Sequence, residues 1–142
     1  GLGADAIYVA AGKSGLGALD AAHEKGVIGF GVDACQDYLY PEVVASMTKR
    51  VDVAVFEMIM AAVIAKVFPS LKTGVFKGGI YEKGVKDEWT GCCRLPEEEA
   101  FWETKFNFKH KPLPADVIAK LKEARDKIVT GEIRVPRPTG WV

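Results

Sequence analysis

Asp5-Ala6-Ile7-Tyr8-Val9-Ala10-Ala11, Gly12-Lys13-Ser14-Gly15, Leu16-Gly17-Ala18-Leu19-Asp20-Ala21-Ala22-His23-Glu24-Lys25-Gly26 and Val27-Ile28-Gly29-Phe30-Gly31-Val32 follow one another without a break. Together they decide the fold class. Ile7, Tyr8 and Val9 are a short apolar run, which predicts a buried strand over 5–11. Gly12 to Gly15 then read as a turn. Leu16, Leu19, Ala22 and His23 recur at helical spacing over 16–25. Gly26 stands where a helix ends in a left-handed residue. Residues 27–32 are a second apolar strand. Strand, helix and strand within about 30 residues make a βαβ unit, and such a crossover places its two strands parallel. The expected class is therefore α/β, with a parallel sheet.

Outward from this unit, Asp33 to Pro41 read as a loop and 43–48 as a third strand. Val51 to Phe68 read as a long apolar helix stopped by Pro69. Residues 75–83 alternate weakly and carry Lys77, Lys83 and Gly78-Gly79, as an edge strand would. Residues 84–112 read as irregular and are rich in aromatics: Trp89, Phe101, Trp102, Phe106 and Phe108. These predict a satellite cluster packed under a loop, with an exposed docking patch as the alternative. Pro114-Ala115-Asp116 opens a last helix with Val117, Ile118, Leu121, Ala124 and Ile128 on one face, and Gly131 closes it. Glu132 to Val135 read as a short strand.

The chain has 142 residues, one domain's worth, and 19 basic residues balance 19 acidic ones. A zero net charge lacks the basic excess of a nucleic-acid surface, so no nucleic-acid partner is expected. Asp52, Glu57 and Lys66 interrupt the most apolar stretch before it reaches membrane-spanning length. The chain opens on Gly1 and runs directly into a strand, which reads as a piece of a longer protein. Cys35, Cys92 and Cys93 are an odd number and lack Cys-x-x-Cys spacing, and His23 and His110 are the two histidines. No metal site and no cofactor are expected on that basis.

Three motifs invite an enzymatic reading and fail on spacing or context. Gly12-Lys13-Ser14 would need a glycine at position 7 to be a phosphate loop, and Ile7 is there. Gly29-Phe30-Gly31-Val32-Asp33-Ala34 has dinucleotide-fingerprint spacing but opens a loop rather than a helix, so its glycines are read as relieving crowding at a strand end. Glu97-Glu98-Glu99 begins a helix, where acidic residues favour the dipole on a solvated face. His23 lies on a helix face and is read as structural; Ser14 has no predictable base. No catalytic residue is expected.

Three segments carry a resemblance to a known family. Gly3 to Gly17 form a strand, glycine turn and helix. Gly31-Val32-Asp33-Ala34-Cys35-Gln36-Asp37 is close to Gly-Val-Asp-x-Asp-Gln, with Cys35 in place of the second Asp. Ser46-Met47-Thr48-Lys49-Arg50-Val51-Asp52-Val53-Ala54-Val55 follows at the right interval, and Leu121 to Pro136 add support. In order and spacing the chain resembles the C-terminal part of the basic membrane protein (BMP) family, the purine-nucleoside-receptor-like substrate-binding lipoproteins of ABC transporters. Residues 84–111 depart from it.

The resemblance implies an incomplete type I periplasmic binding protein fold, whose α/β lobes enclose ligand between them. Residues 1–32 would be a second-lobe βαβ unit, 33–75 a hinge crossing near Asp33 with a first-lobe segment, and 76–142 the return and C-terminal helix. It implies a non-enzymatic receptor that binds a purine nucleoside or similar small ligand and presents it to an ABC permease. The location would be the cell surface or periplasm, with anchoring through an N-terminal lipid absent from this chain. It implies that Asp33 accepts from ribose hydroxyls, that Lys49 donates to the same sugar, and that Gly12 lets the ligand approach the backbone. The residues themselves leave blander roles open: Asp33 capping a loop, Lys49 paired with Asp52 or Glu57, Gly12 a simple turn. Two other functions stay open: an intracellular ligand sensor or transcriptional regulator on the same fold, and a small α/β enzyme acting on a phosphorylated substrate near Gly12 to Gly15. A fragment of such a fold would leave apolar faces bare, so the missing N-terminal lobe or a second copy is expected to complete it.

Overall fold

The computed structural model describes residues 3–68, 76 and 79–136. It is an α/β structure with a four-stranded sheet: β1 (Ala6–Tyr8), β2 (Ile28–Asp33), β3 (Val43–Lys49) and β4 (Thr90–Cys92), in that order across the sheet. β1, β2 and β3 run parallel, and β4 is antiparallel to β3. The helices are α1 (Ser14–Lys25), α2 (Val51–Val67), α3 (Pro96–Phe106) and α4 (Ala115–Thr130). This is the α/β class read from the sequence, and it is consistent with part of a periplasmic-binding-protein-like lobe.

The β1–α1–β2 unit forms where the pattern placed it. Gly26 takes φ +64° and its N–H closes the end of α1 on His23. β1 is shorter and more exposed than predicted, because among the described residues β2 is its one strand neighbour and Ile7 and Tyr8 have little else to pack on. Leu19 and Ala22 of α1 are buried, and Leu19 packs with Val9 and Val43. Gly29 makes room for it: a Cβ there would sit 3.0 Å from Leu19 Cδ2.

Register shifts between Gly29 and Phe30, which face Val43 and Ala45, so Val44 is an extra residue on β3. This bulge reverses the alternation of β3. Beyond it, Ser46 and Thr48 share the face of Gly29 and Gly31, which meets α1 and α3. On the other face Tyr8 bonds Met47 Sδ, and both are about half exposed.

Residues 84–112 are more regular than predicted. A 3-10 turn (Val85–Asp87), β4 and α3 lie here. Pro96 stands in the first turn of α3 with Glu97, Glu98 and Glu99, and Asn107 ends the helix at φ +50°. The aromatic run obscured a period-3.6 pattern, since Phe101, Trp102 and Phe106 fill one α3 face. Trp102 and Phe106 pack, with Phe108, as the predicted satellite cluster around buried Cys35 and Cys93. Glu98 is not solvated as the charge run implied. It is buried, accepting from Thr48 Oγ1 at 2.8 Å and Trp102 Nε1 at 2.7 Å.

Two other expectations are corrected. Among the described residues of 75–83, Phe76 and 79–83, none is in a strand. The 132–135 strand is absent too, because the chain turns back onto its own helix, with Ile133 N–H bonding Lys127 O. Residues 34–42 bring β3 beside β2 in one sheet. Pro69, with the stop it was to impose, and residues 77–78 lie outside the described residues. Helix α2 buries none of its residues, and Val55, Phe56, Ile59 and Val63 are each about half exposed or more.

Candidate functional site

Parallel strands put their carboxyl ends on one edge of a sheet, which is where open α/β sheets take ligands. Here that edge carries Gly12 in the turn after β1, Asp33 ending β2 and Lys49 ending β3. The three residues singled out from sequence thus belong to one edge.

Gly12 has φ +54°, and its carbonyl accepts from Gly15 N–H at 3.0 Å as α1 begins. A Cβ on Gly12 would meet no atom within 4 Å, so its backbone is open to approach. Gly15 is the packing glycine of this turn, for a Cβ there would lie 2.9 Å from Val9 Cγ1.

Asp33 has φ +70°, a left-handed conformation that few non-glycine residues adopt and that Asp tolerates better than most. Ala34 N–H reaches Val32 O at 2.9 Å across it, closing a three-residue turn. The following residues hold this turn in place. Gln36 Oε1 accepts from Val32 N–H, Gln36 N–H donates to Ser46 Oγ, and Ser46 Oγ donates to Asp37 Oδ1. Gly31 is needed under this lattice, since a Cβ there would sit 2.4 Å from Ser46 Oγ and 2.7 Å from Gln36 Oε1. The Gly-Val-Asp-x-x-Gln pattern is therefore a device for pinning an aspartate in a turn at a strand end.

Lys49 Nζ lies 2.9 Å from Asp33 Oδ1, with both side chains more than half exposed. The alternative partners weighed for Lys49 are taken by others. Arg50 grips Asp52 through Nε and Nη2, and Lys83 pairs with Glu57 at 2.8 Å. The Arg50 bonds hold the Asp52 carboxyl below its ordinary range, and Arg50 is raised in turn. Arg50 N–H also donates to Trp89 O at 2.8 Å, which fixes the backbone immediately after Lys49. Thr48, bonded to Glu98, anchors it from the other side. What results is a carboxylate and an ammonium, side by side and open to solvent, on a backbone held by buried bonds. Such a pair offers acceptors and donors to a neutral polyol. A concavity of about 180 Å³ opens beside Arg50, lined also by Thr90, Glu98 and Arg125, but includes neither Asp33 nor Lys49.

The other sequence candidates are structural. His23 Nδ1 lies 2.7 Å from Glu42 Oε2 and its ring stacks on Tyr40, tying α1 to the loop before β3. That bond holds the Glu42 carboxyl below its usual range. Ser14 is exposed at the start of α1, and no carboxylate or imidazole among the described residues bonds its hydroxyl.

Residue spacing did not reveal a second constellation. Cys35 and Asp37 from the loop after β2, Cys93 from the end of β4 and His110 from the segment after α3 converge, their donor atoms all within 4.8 Å of one another. Cys35 and Cys93 are fully buried, and the side chains of Asp37 and His110 are nearly so. The bond to Cys35, burial and nearby Asp37 push the Cys93 thiol up, and burial with the Arg94 charge pushes His110 down. Neighbouring Cys92 is outside the cluster; burial raises its thiol too. The one advance signal was that Cys35 and residues 84–111 both depart from the resembled pattern.

No protein-family model matches the chain. Curated proteins do. The chain is 31% identical over 140 residues to basic membrane protein A1 of Borrelia garinii subsp. bavariensis and 31% identical over 138 residues to basic membrane protein A of Borreliella afzelii. It is 40% identical over 138 residues to basic membrane protein D of Borreliella burgdorferi. Each match covers 94% of this chain and 34–36% of the relative, so the chain spans about a third of the length of the curated relatives it matches.

Proposed function

The chain belongs to the basic membrane protein family, over about a third of its relatives' length, and on that premise we propose that it supplies the sugar-facing half of a purine-nucleoside site in the receptor component of an ABC importer. The observation that carries this is the Asp33–Lys49 pair. It sits at the carboxyl ends of adjacent parallel strands, half exposed, with Asp33 held in a left-handed turn. A strained residue costs stability, and such residues concentrate where a ligand is gripped. Asp33 accepts hydrogen bonds from vicinal ribose hydroxyls, Lys49 donates to one of them, and the open backbone at Gly12 receives the ligand's edge.

The site is half of a cleft. Its opposite wall, and the contacts that read the base, come from outside this chain: the remaining lobe or a second copy. Helix α2 supports this, since a largely apolar helix belongs in an interior and this one buries nothing among the described residues. No helix among those residues is long and apolar enough to cross a membrane. The bare face therefore calls for protein cover. In this reading the receptor is held at the cell surface or in the periplasm by an N-terminal lipid and delivers its ligand to the permease. Calorimetric titration of the full-length gene product with adenosine, guanosine and inosine tests the reading. Saturable heat with a nucleoside, lost in Asp33→Asn, is the expected result; no heat with any of the three, alongside binding of an unrelated solute, would sink it.

A further inference from the structure

We propose that Cys35, Asp37, Cys93 and His110 form a structural zinc site. The geometry is that of a tetrahedral shell. With Zn–S near 2.3 Å and Zn–N or Zn–O near 2.0–2.1 Å, the donors of a tetrahedral zinc stand about 3.3–3.8 Å apart. Cys35 Sγ lies 3.4 Å from His110 Nε2, His110 Nε2 lies 3.4 Å from Asp37 Oδ2, and one donor atom from each of the four residues lies within 4.8 Å of the others.

The cluster makes poor sense without a cation. Two thiols, a carboxylate and an imidazole are packed together away from water, and Asp37 Oδ2 has no hydrogen-bond partner among the described residues. Burying an unpaired carboxylate oxygen is costly. Asp37 is 4% exposed, and the orphaned Oδ2 points at the His110 nitrogen that faces the cysteines.

The surroundings are arranged as metal sites require. Outer groups fix which atom of each ligand is free. Ser46 Oγ donates to Asp37 Oδ1, leaving Oδ2 for the metal. Ser46 N–H donates to Cys93 Sγ at 3.3 Å, which suits a thiolate. Nδ1 of His110 faces the Glu103 carboxylate at 3.4 Å and Glu99 at 3.8 Å, which favours a proton on Nδ1 and a lone pair on Nε2. Glu103 Oε1 also accepts from His110 N–H at 3.0 Å and so holds the ring in place. Two thiolates, one imidazole and one carboxylate are a borderline-soft set in tetrahedral array, which selects zinc over magnesium or calcium. All four positions are filled by protein, so the site is structural rather than catalytic. Metal entry releases the two thiol protons to solvent. The ion joins the loop after β2, the end of β4 and the segment after α3, which pack together through the Cys35–Cys93–Trp102 cluster. It thereby braces the turn that presents Asp33, and it does not depend on what Asp33 binds.

The test is zinc stoichiometry and affinity of the full-length gene product, purified without metal-affinity steps and reduced. The expected result is one zinc per chain in the wild type and in Cys92→Ser, lost in Cys35→Ser and in His110→Ala. Cobalt substitution should give the sulfur-to-cobalt charge-transfer bands and intense visible bands of a tetrahedral thiolate site. A ligand variant can fail to fold, so Glu103→Gln provides a second arm: it touches only the outside of the histidine and should weaken zinc about 10–100-fold in competition with a chromophoric chelator. Unchanged zinc affinity in Glu103→Gln, failure of the reduced wild type to take up zinc, or a Cys35–Cys93 disulfide in a non-reducing peptide map of the native protein would overturn the proposal.

Discussion

Replacing Asp33 by Asn separates a binding role from a structural one. Asn keeps the shape and tolerates φ +70°, so the turn survives while the charge is lost. In the structure Asp33 meets Lys49 at 2.9 Å, but the two side chains are 54% and 62% exposed. Exposed pairs of this kind contribute about 0.2–1 kcal/mol. The buried bonds that shape the turn belong to Gln36, Ser46 and Thr48, and none of them uses the Asp33 carboxylate. Asp33→Asn, Lys49→Met and the double variant should therefore each cost less than about 1 kcal/mol in urea denaturation, with a coupling energy below about 1 kcal/mol. Nucleoside affinity should fall much further. A hydrogen bond to a charged group is worth about 1.5–3 kcal/mol, which is about a 10- to 150-fold rise in Kd. Calorimetry on the same samples reads it. A stability loss above about 2 kcal/mol with unchanged affinity would refute the reasoning and make the pair a fold element.

Three further outcomes follow from the packing. In Gly91→Ala the new Cβ would lie 1.8 Å from Glu98 Oε1 and 3.3 Å from Thr48 Oγ1. Relief requires moving a buried carboxylate, so a loss of about 1–3 kcal/mol is expected in thermal denaturation. Glu57 is held below the ordinary carboxylate range by its bonds from Lys83 and Trp89. A depressed folded pKa gives stability that is complete above the unfolded value near 4.5 and is lost as pH falls through the folded value. Glu57→Gln should therefore flatten the acid limb by lowering the neutral side of the pH–stability curve while leaving its strongly acid end in place. The bare face of α2 should make this chain associate when alone; light scattering should show concentration-dependent mass, reduced by Phe56→Lys with Ile59→Lys. A folded, monodisperse monomer would contradict that expectation.

The sequence by itself determined the elements whose causes are local. The apolar runs and Gly26 set β1–α1–β2, the left-handed need at Gly131 ended α4, and the spacing from Gly31 to Lys49 marked the edge where Asp33 and Lys49 meet. It read 84–112 as irregular, where β4 and α3 form, because the aromatic residues and cysteines there find their packing partners on other elements. It also took Glu98 for a solvated charge, since burial depends on Thr48 and Trp102, 50 residues before and 4 after it. Tertiary structure alone decided the Cys35–Asp37–Cys93–His110 cluster. Its ligand atoms are separated by as many as 75 positions along the chain, and convergence over that distance is set by how β4 pairs with β3 and how α3 folds back over it, not by any spacing a motif can record.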